Sequence, residues 1–524
     1  MRLAGSLLAL ALLAIAPLAD GADRVLRRSG TEDPATLDPH RVAYPGEFNI
    51  ISDMFIGLMT LDATAKPIGG CAESWKVSED GLSYEFALRK GLQWSDGTAM
   101  SSEDFVWSFR RMLDPATAFP FAARLYSIRN AREVNGGKRP VTDLGVHAID
   151  KDHVRIELAH PAPYILEVLA SYSSPAPRHL LEKRPEDWIR PGVMVSNGPF
   201  VLAEWVPNSH VRLERNPRFY DSANVKLDAV VHVHTDNAGN AVRRFRAGEL
   251  DVVLVVPPDQ LDWARENLPD ALRLSPGFGI EHIAFNVRRA PFDDARVRRA
   301  VSMAVDREAL VKHVTRAGEV PAYGLVPPAA SNYDMHVKAD FAAVPQAERV
   351  RQARALLADA GYGPGNPLTF TLGYPSGDVN KRVSVALAAM WQGIGARVQI
   401  SGTELKSLLG EVGRGEFDAV RFRWLSGTTD PVSFLERLET GSGAMNQPGY
   451  SNPRYDALVR EAERTLDIRA RASLLAGAES LALEDHPVAP LYFYAGRRLV
   501  SRKVNGWVEN PRGVHLSRWL NVSP

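Results

Sequence analysis

Cysteine is almost missing from this chain. Cys71 is the only one in 524 residues, so no disulfide can form within it. It stands far from the apolar N-terminal segment, which excludes the lipid-carrying cysteine that follows such a segment in lipoproteins. A lone cysteine is read here as a small buried hydrophobe rather than a nucleophile. Net charge is missing as well: Lys+Arg and Asp+Glu each total 62. A balanced chain without runs of like charge offers no electrostatic hold for nucleic acid or an anionic membrane surface. Beyond the N-terminal segment, no stretch approaches the roughly 18 unbroken apolar residues of a spanning helix. No His-Glu-x-x-His, Gly-x-Ser-x-Gly or P-loop occurs. Gly361-Tyr362-Gly363-Pro364-Gly365 follows a helical pattern rather than a strand, so it reads as a helix C-terminal turn. With these catalytic and cofactor-binding motifs missing, the expectation is that the chain is not an enzyme and carries no cofactor. No solenoid-period repeat and no long flexible linker appears either.

What is present begins with Arg2 and an apolar, Leu/Ala-rich stretch from Leu3 to Leu18, closed by Pro17 and Asp20. It is too short to span a membrane. With the small residues Ala19 and Gly21 it reads as a cleaved signal peptide over residues 1–21. A chain of this length exceeds one core, so two or three lobes are expected.

Strand and helix patterns alternate through the rest. Tyr84, Phe86 and Leu88 alternate with polar neighbours, as in a half-buried strand. Ser101 stands three residues before Asp104, a capping box, and Phe105, Phe109 and Met112 follow at helical spacing. Past Asp293-Asp294, the residues Val297, Ala300, Val301, Ala304 and Val305 form one apolar stripe, with Arg296, Arg298 and Arg299 placed on the surface. Asp306 recaps a turn carrying Leu310, Val311 and Val314. Strand 368–372, helix 380–392 and strand 396–400 make a β-α-β unit, so the class is α/β with mixed sheets.

Two clusters invite a chemical reading. His232-Val233-His234 lies in an alternating strand, which puts both imidazoles on one side, with Asp236 near. Strand alternation explains that spacing without a metal, so the pair is read as polar residues on a solvent face. Arg421, Arg423 and Trp424, and Tyr492-Phe493-Tyr494 beside Arg497 and Arg498, suit the wall of a ligand cleft, although from composition alone core aromatics beside surface arginines are the favoured reading.

Several stretches together resemble one family. They are Thr36-Leu37-Asp38-Pro39-His40; Ala72-Glu73-Ser74-Trp75 through Trp94-Ser95-Asp96-Gly97-Thr98 to Asp104-Phe105; Asn197-Gly198-Pro199-Phe200; Glu214-Arg215-Asn216-Pro217; Ala290-Pro291-Phe292 through Arg296-Val297-Arg298 to Asp306-Arg307; and Phe417-Asp418. In this order the sequence resembles the extracellular solute-binding proteins of the peptide/nickel class, family 5, and among them the periplasmic oligopeptide-binding proteins. The resemblance implies a two-lobed periplasmic-binding-protein fold with two crossover strands, near 278–284 and 493–498, and an extra subdomain. Lobe I would comprise 22–55, 185–280 and 496–524, the subdomain 56–184 and lobe II 281–495. It implies a soluble, monomeric periplasmic receptor of an ABC importer, with a peptide-like ligand and with permease and ATPase subunits as partners. A non-peptide solute (an opine, a modified sugar or a chelated metal) is the alternative, and a periplasmic hydrolase a more distant one.

The resemblance also implies ligand contacts at Tyr44, Pro45, His282, Asn380, Arg421, Trp424, Leu425, Ser426, Gly427 and Tyr494. Trp424 and Tyr494 match cleft aromatics, and Arg421 matches an arginine able to meet a ligand carboxylate. Asn380 stands where one member has a carboxylate-binding histidine. Gly427 stands where oligopeptide and dipeptide binders have the aspartate that pairs with the peptide α-ammonium. Asp430 is the nearest carboxylate in sequence. Val412 and Leu405 replace an arginine and a tryptophan.

Overall fold

The computed structural model describes residues 24–30 and 33–523, and the expected signal peptide lies outside them. Among the described residues, no helix is long and apolar enough to cross a membrane. One mixed sheet of 11 strands organises the chain. Its ten-strand path runs Arg397–Thr403, Thr369–Pro375, Ala419–Leu425, Leu272–Phe285, Val488–Val500, Val252–Val253, Val25–Ser29, Ala229–Val233, His210–Arg215, Phe200–Val206. The expected β-α-β unit is there: Thr369–Pro375 and Arg397–Thr403 pair in parallel around helix Asp378–Gln392. Val25–Ser29 also lies parallel to Ala229–Val233, while Leu272–Phe285 and Val488–Val500 are antiparallel.

Those last two strands are long because they serve both halves. At one end Val488–Val500 pairs with Val252–Val253, and toward the other Leu272–Phe285 pairs with Ala419–Leu425. Apolar cores form on either side. One gathers side chains from Leu26 to Val252 together with Val500 to Val522, and two more are built from residues between Phe278 and Phe493. This is the expected two-lobed α/β architecture with a pair of crossing strands. Between residues 72 and 157 a separate antiparallel sheet of four strands packs its alternating Tyr84, Phe86 and Leu88 inward.

Local signals behave as their chemistry requires. Ser101 and Asp104 cap helix Ser102–Leu113 reciprocally, and the carboxylates of Asp294 and Asp306 accept from Arg296 N and Ala309 N. Arg298, however, is not on the surface. Its guanidinium turns inward and donates to the carbonyls of Phe292, Asp293 and Asp485, which tie down a helix end.

The reading of His232 as a solvent-facing residue is corrected too. It is buried, and its Nε2 lies 3.1 Å from Asp53 Oδ2. Asp53 accepts from Ser517 N and Oγ as well, and Arg28 lies 3.8 Å from it. The cluster joins strand Val25–Ser29, helix Pro45–Met54 and the C-terminal segment. Burial raises the Asp53 carboxyl, but His232, Arg28 and Ser517 outweigh it and hold the group below its ordinary range. Among the described residues no His, Cys, Asp or Glu group is placed to hold a metal. Cys71 is buried, its thiol pushed up to about 12 by desolvation.

Candidate functional site

The crossing strands are irregular where they pass between the halves. Their mutual register shifts between Pro276 and Ile280, so residues 277–279 leave the ladder with Val488–Val500 while Gly279 still pairs with Leu425. Beside this break opens a cavity of about 690 Å³, within the range of small-molecule sites. The first half supplies helices Pro45–Met54 and Ile165–Tyr172 and the Phe121 loop. The strands supply Ser275 to Phe278 and Tyr494 to Gly496. The second half supplies the end of Ala419–Leu425, and the C-terminal segment adds Asn510 to Val514.

One wall is aromatic. Phe48 and Phe121 meet edge to face at 5.0 Å, and Phe121 stacks on Tyr172 at 5.4 Å. The charged groups are of one sign. Arg124, Arg423, Arg498 and Arg512 line the cavity, and among the described lining residues there is no carboxylate, lysine or histidine. Arg512 donates to Ser171 Oγ at 2.7 Å and to the Gly427 carbonyl at 2.8 Å. Its Nη1 is buried without a partner. Burial draws this guanidinium below its ordinary pKa, with Glu167 opposing. Glu167 accepts from Thr429 N and Oγ1 and from Ser331 Oγ, a second tie between the halves.

Four of the expected contacts line the cavity: Leu425, Ser426, Gly427 and Tyr494. Tyr44 is exposed at the N-cap of helix Pro45–Met54, and its neighbours Ala43, Phe48 and Asn49 line the cavity. Arg421 and Asn380 are brought together but face inward. Arg421 donates to Glu281 and to Asn380 Oδ1, and Tyr494 Oη donates to the other Glu281 oxygen. Asn380 Nδ2 donates to the Pro375 carbonyl at 2.7 Å. Burial holds Glu281 above its ordinary range even with Arg421 beside it.

Trp424 and His282 are not brought to the cavity. On strand Ala419–Leu425, Arg421, Arg423 and Leu425 share one face, and Trp424 falls on the other. There it packs against His282 at 4.1 Å, both fully buried. His282 is drawn down to about 3 by desolvation, with Arg437 adding to it, so it is neutral.

Gly427 stands close to the end of the Tyr172 side chain. A Cβ there would lie 2.8 Å from Tyr172 Oη. Asp430 is buried and bound through both oxygens to Arg471, each at 2.8 Å, so it does not reach the cavity. Sequence reasoning missed Arg124, Arg512 and the Phe48–Phe121–Tyr172 wall. Arg512 sits in Pro511-Arg512-Gly513, which carries no periodic or motif signal.

Comparison with known proteins follows the same lines. The family described as bacterial extracellular solute-binding proteins, family 5 Middle, matches residues 66–446. The chain is 34% identical over 488 residues to the periplasmic oligopeptide-binding protein OppA of Escherichia coli strain K12, covering 92% of this chain and 89% of that one. It is 35% identical over 504 residues to the probable deoxycholate-binding periplasmic protein YgiS of the same strain, covering 95% and 94%. Its fold matches the unliganded open form of the periplasmic murein tripeptide binding protein MppA with a TM-score of 0.86, at 31% identity over 96% of this chain and 98% of that one.

Proposed function

Because the chain belongs to the bacterial extracellular solute-binding proteins of family 5, we propose that it is the periplasmic receptor of an ABC importer. It takes oligopeptides or peptide-like solutes into the cavity between its halves and passes them to permease subunits driven by ATPase subunits. The observation that carries this reading is the 690 Å³ cavity at the irregular crossing of the two long strands. Such a site is walled by both halves, so hinge closure can bury a solute without chemistry. The named relatives are an oligopeptide-binding protein, a murein tripeptide binding protein and a probable deoxycholate-binding protein. Leu425, Ser426, Gly427 and Tyr494 are the first contacts we assign. The receptor acts as a soluble monomer, released from a signal peptide cleaved after Gly21.

Binding without turnover is the test. A solute at 100 times its dissociation constant adds about 2.7 kcal/mol of stability. Thermal unfolding with solute present should show that increment, and mass spectrometry should recover the solute unchanged. Cleaved solute, or no stabilisation by any fraction of a periplasmic extract, would overturn the proposal.

A further inference from the structure

We propose that the cavity takes an amphipathic organic anion: an apolar body bearing a carboxylate and no free amine. This rests on the receptor reading above and specifies its ligand class. The inward-facing charges are all guanidinium. Arg423 is exposed and Arg512 half-buried, and neither forms an ion pair among the described residues. Arg124 also borders a second cavity that holds Glu436, so its charge is shared. Arg498 lies 3.8 Å from Glu509.

The carboxylates behind the wall are already engaged. Glu281 holds Arg421 and Tyr494, and Glu167 holds Thr429 and Ser331. A ligand ammonium entering here would meet arginine donors and lose its hydration with no carboxylate to replace it. An anion would gain charge-assisted hydrogen bonds from Arg512 and Arg423. The Gly427 carbonyl at this end of the cavity already accepts from Arg512 at 2.8 Å. At position 427 the glycine supplies no side-chain carboxylate, and the Tyr172 hydroxyl stands beside it. The stacked Phe121 and Tyr172 with Phe48 supply the apolar surface for the ligand body.

Titration calorimetry with four probes reads the end-group preference: trileucine, N-acetyl-trileucine, N-acetyl-trileucine amide, and deoxycholate below its micellar concentration. N-acetyl-trileucine and deoxycholate should each bind at least tenfold tighter than trileucine, and the amide at least tenfold weaker than the acetylated acid. Arg512→Gln should weaken both anions tenfold or more. Arg423→Gln, at an exposed position where folding is safe, should weaken them severalfold. Trileucine binding as tightly as its acetylated form, or the amide as tightly as the acid, would overturn the inference while leaving the receptor reading intact. If only neutral solutes stabilise the protein, the inference falls alone. If none does, both fall.

Discussion

Asp430→Ala is expected to lower the unfolding free energy by about 3–5 kcal/mol and to leave solute affinity unchanged. Asp430 is only 2% exposed and Arg471 only 3%. Their two hydrogen bonds, each 2.8 Å, form one bidentate pair. Asp430 also accepts from Val432 N and so shapes the turn that follows. Removing the carboxylate strands a guanidinium in the core of the second half, and the cost is that of an uncompensated buried charge. The double variant Asp430→Ala/Arg471→Leu removes both charges and should recover much of the loss. Urea unfolding of the three proteins checks the order. A change in solute affinity with little change in stability would instead make Asp430 a ligand contact.

Arg421→Ala is expected to cost a similar 3–5 kcal/mol at pH 8, and less as the pH falls. Arg421 is 1% exposed and Glu281 4%. Glu281 already stands above its ordinary pKa through burial, with Arg421 the main opposing influence. Without Arg421 the folded-state pKa climbs further. A carboxyl whose folded pKa exceeds its unfolded value holds more protons when folded. Its contribution is therefore fully present below the unfolded pKa, near 4.5, and is lost as pH rises toward the folded one. The variant's deficit should be largest at pH 8 and shrink steadily toward pH 5. Glu281→Gln in the same background should flatten that dependence. A deficit independent of pH would show that Glu281 does not respond to Arg421.

Much of the architecture is readable before any coordinates, because local rules decide it. The Ser101–Asp104 box and the Asp294 and Asp306 caps need only neighbours in sequence. The strand at Tyr84 needs only its period. The errors share one cause. Period two separates the faces of Ala419–Leu425 but does not say which face meets the cavity, and Trp424 lies on the face packed against His282. Arg298 and His232 look like surface residues until partners distant in sequence, Asp485 and Asp53, arrive to satisfy them. Gly427 is legible as a departure from the family pattern, but its complement, Arg512, is 85 positions away. Only the fold puts them together, and the charge of the cavity depends on that meeting.

The receptor claim meets its most direct test in mass spectrometry of the small molecules released when the periplasmically purified protein is unfolded. The account predicts one solute per chain, an organic anion without a free amine, and its depletion from an Arg512→Gln/Arg423→Gln variant. A ladder of free-amine peptides retained equally by that variant would contradict the anionic cavity. Protein that releases no solute, and that no periplasmic fraction stabilises, would contradict the receptor itself.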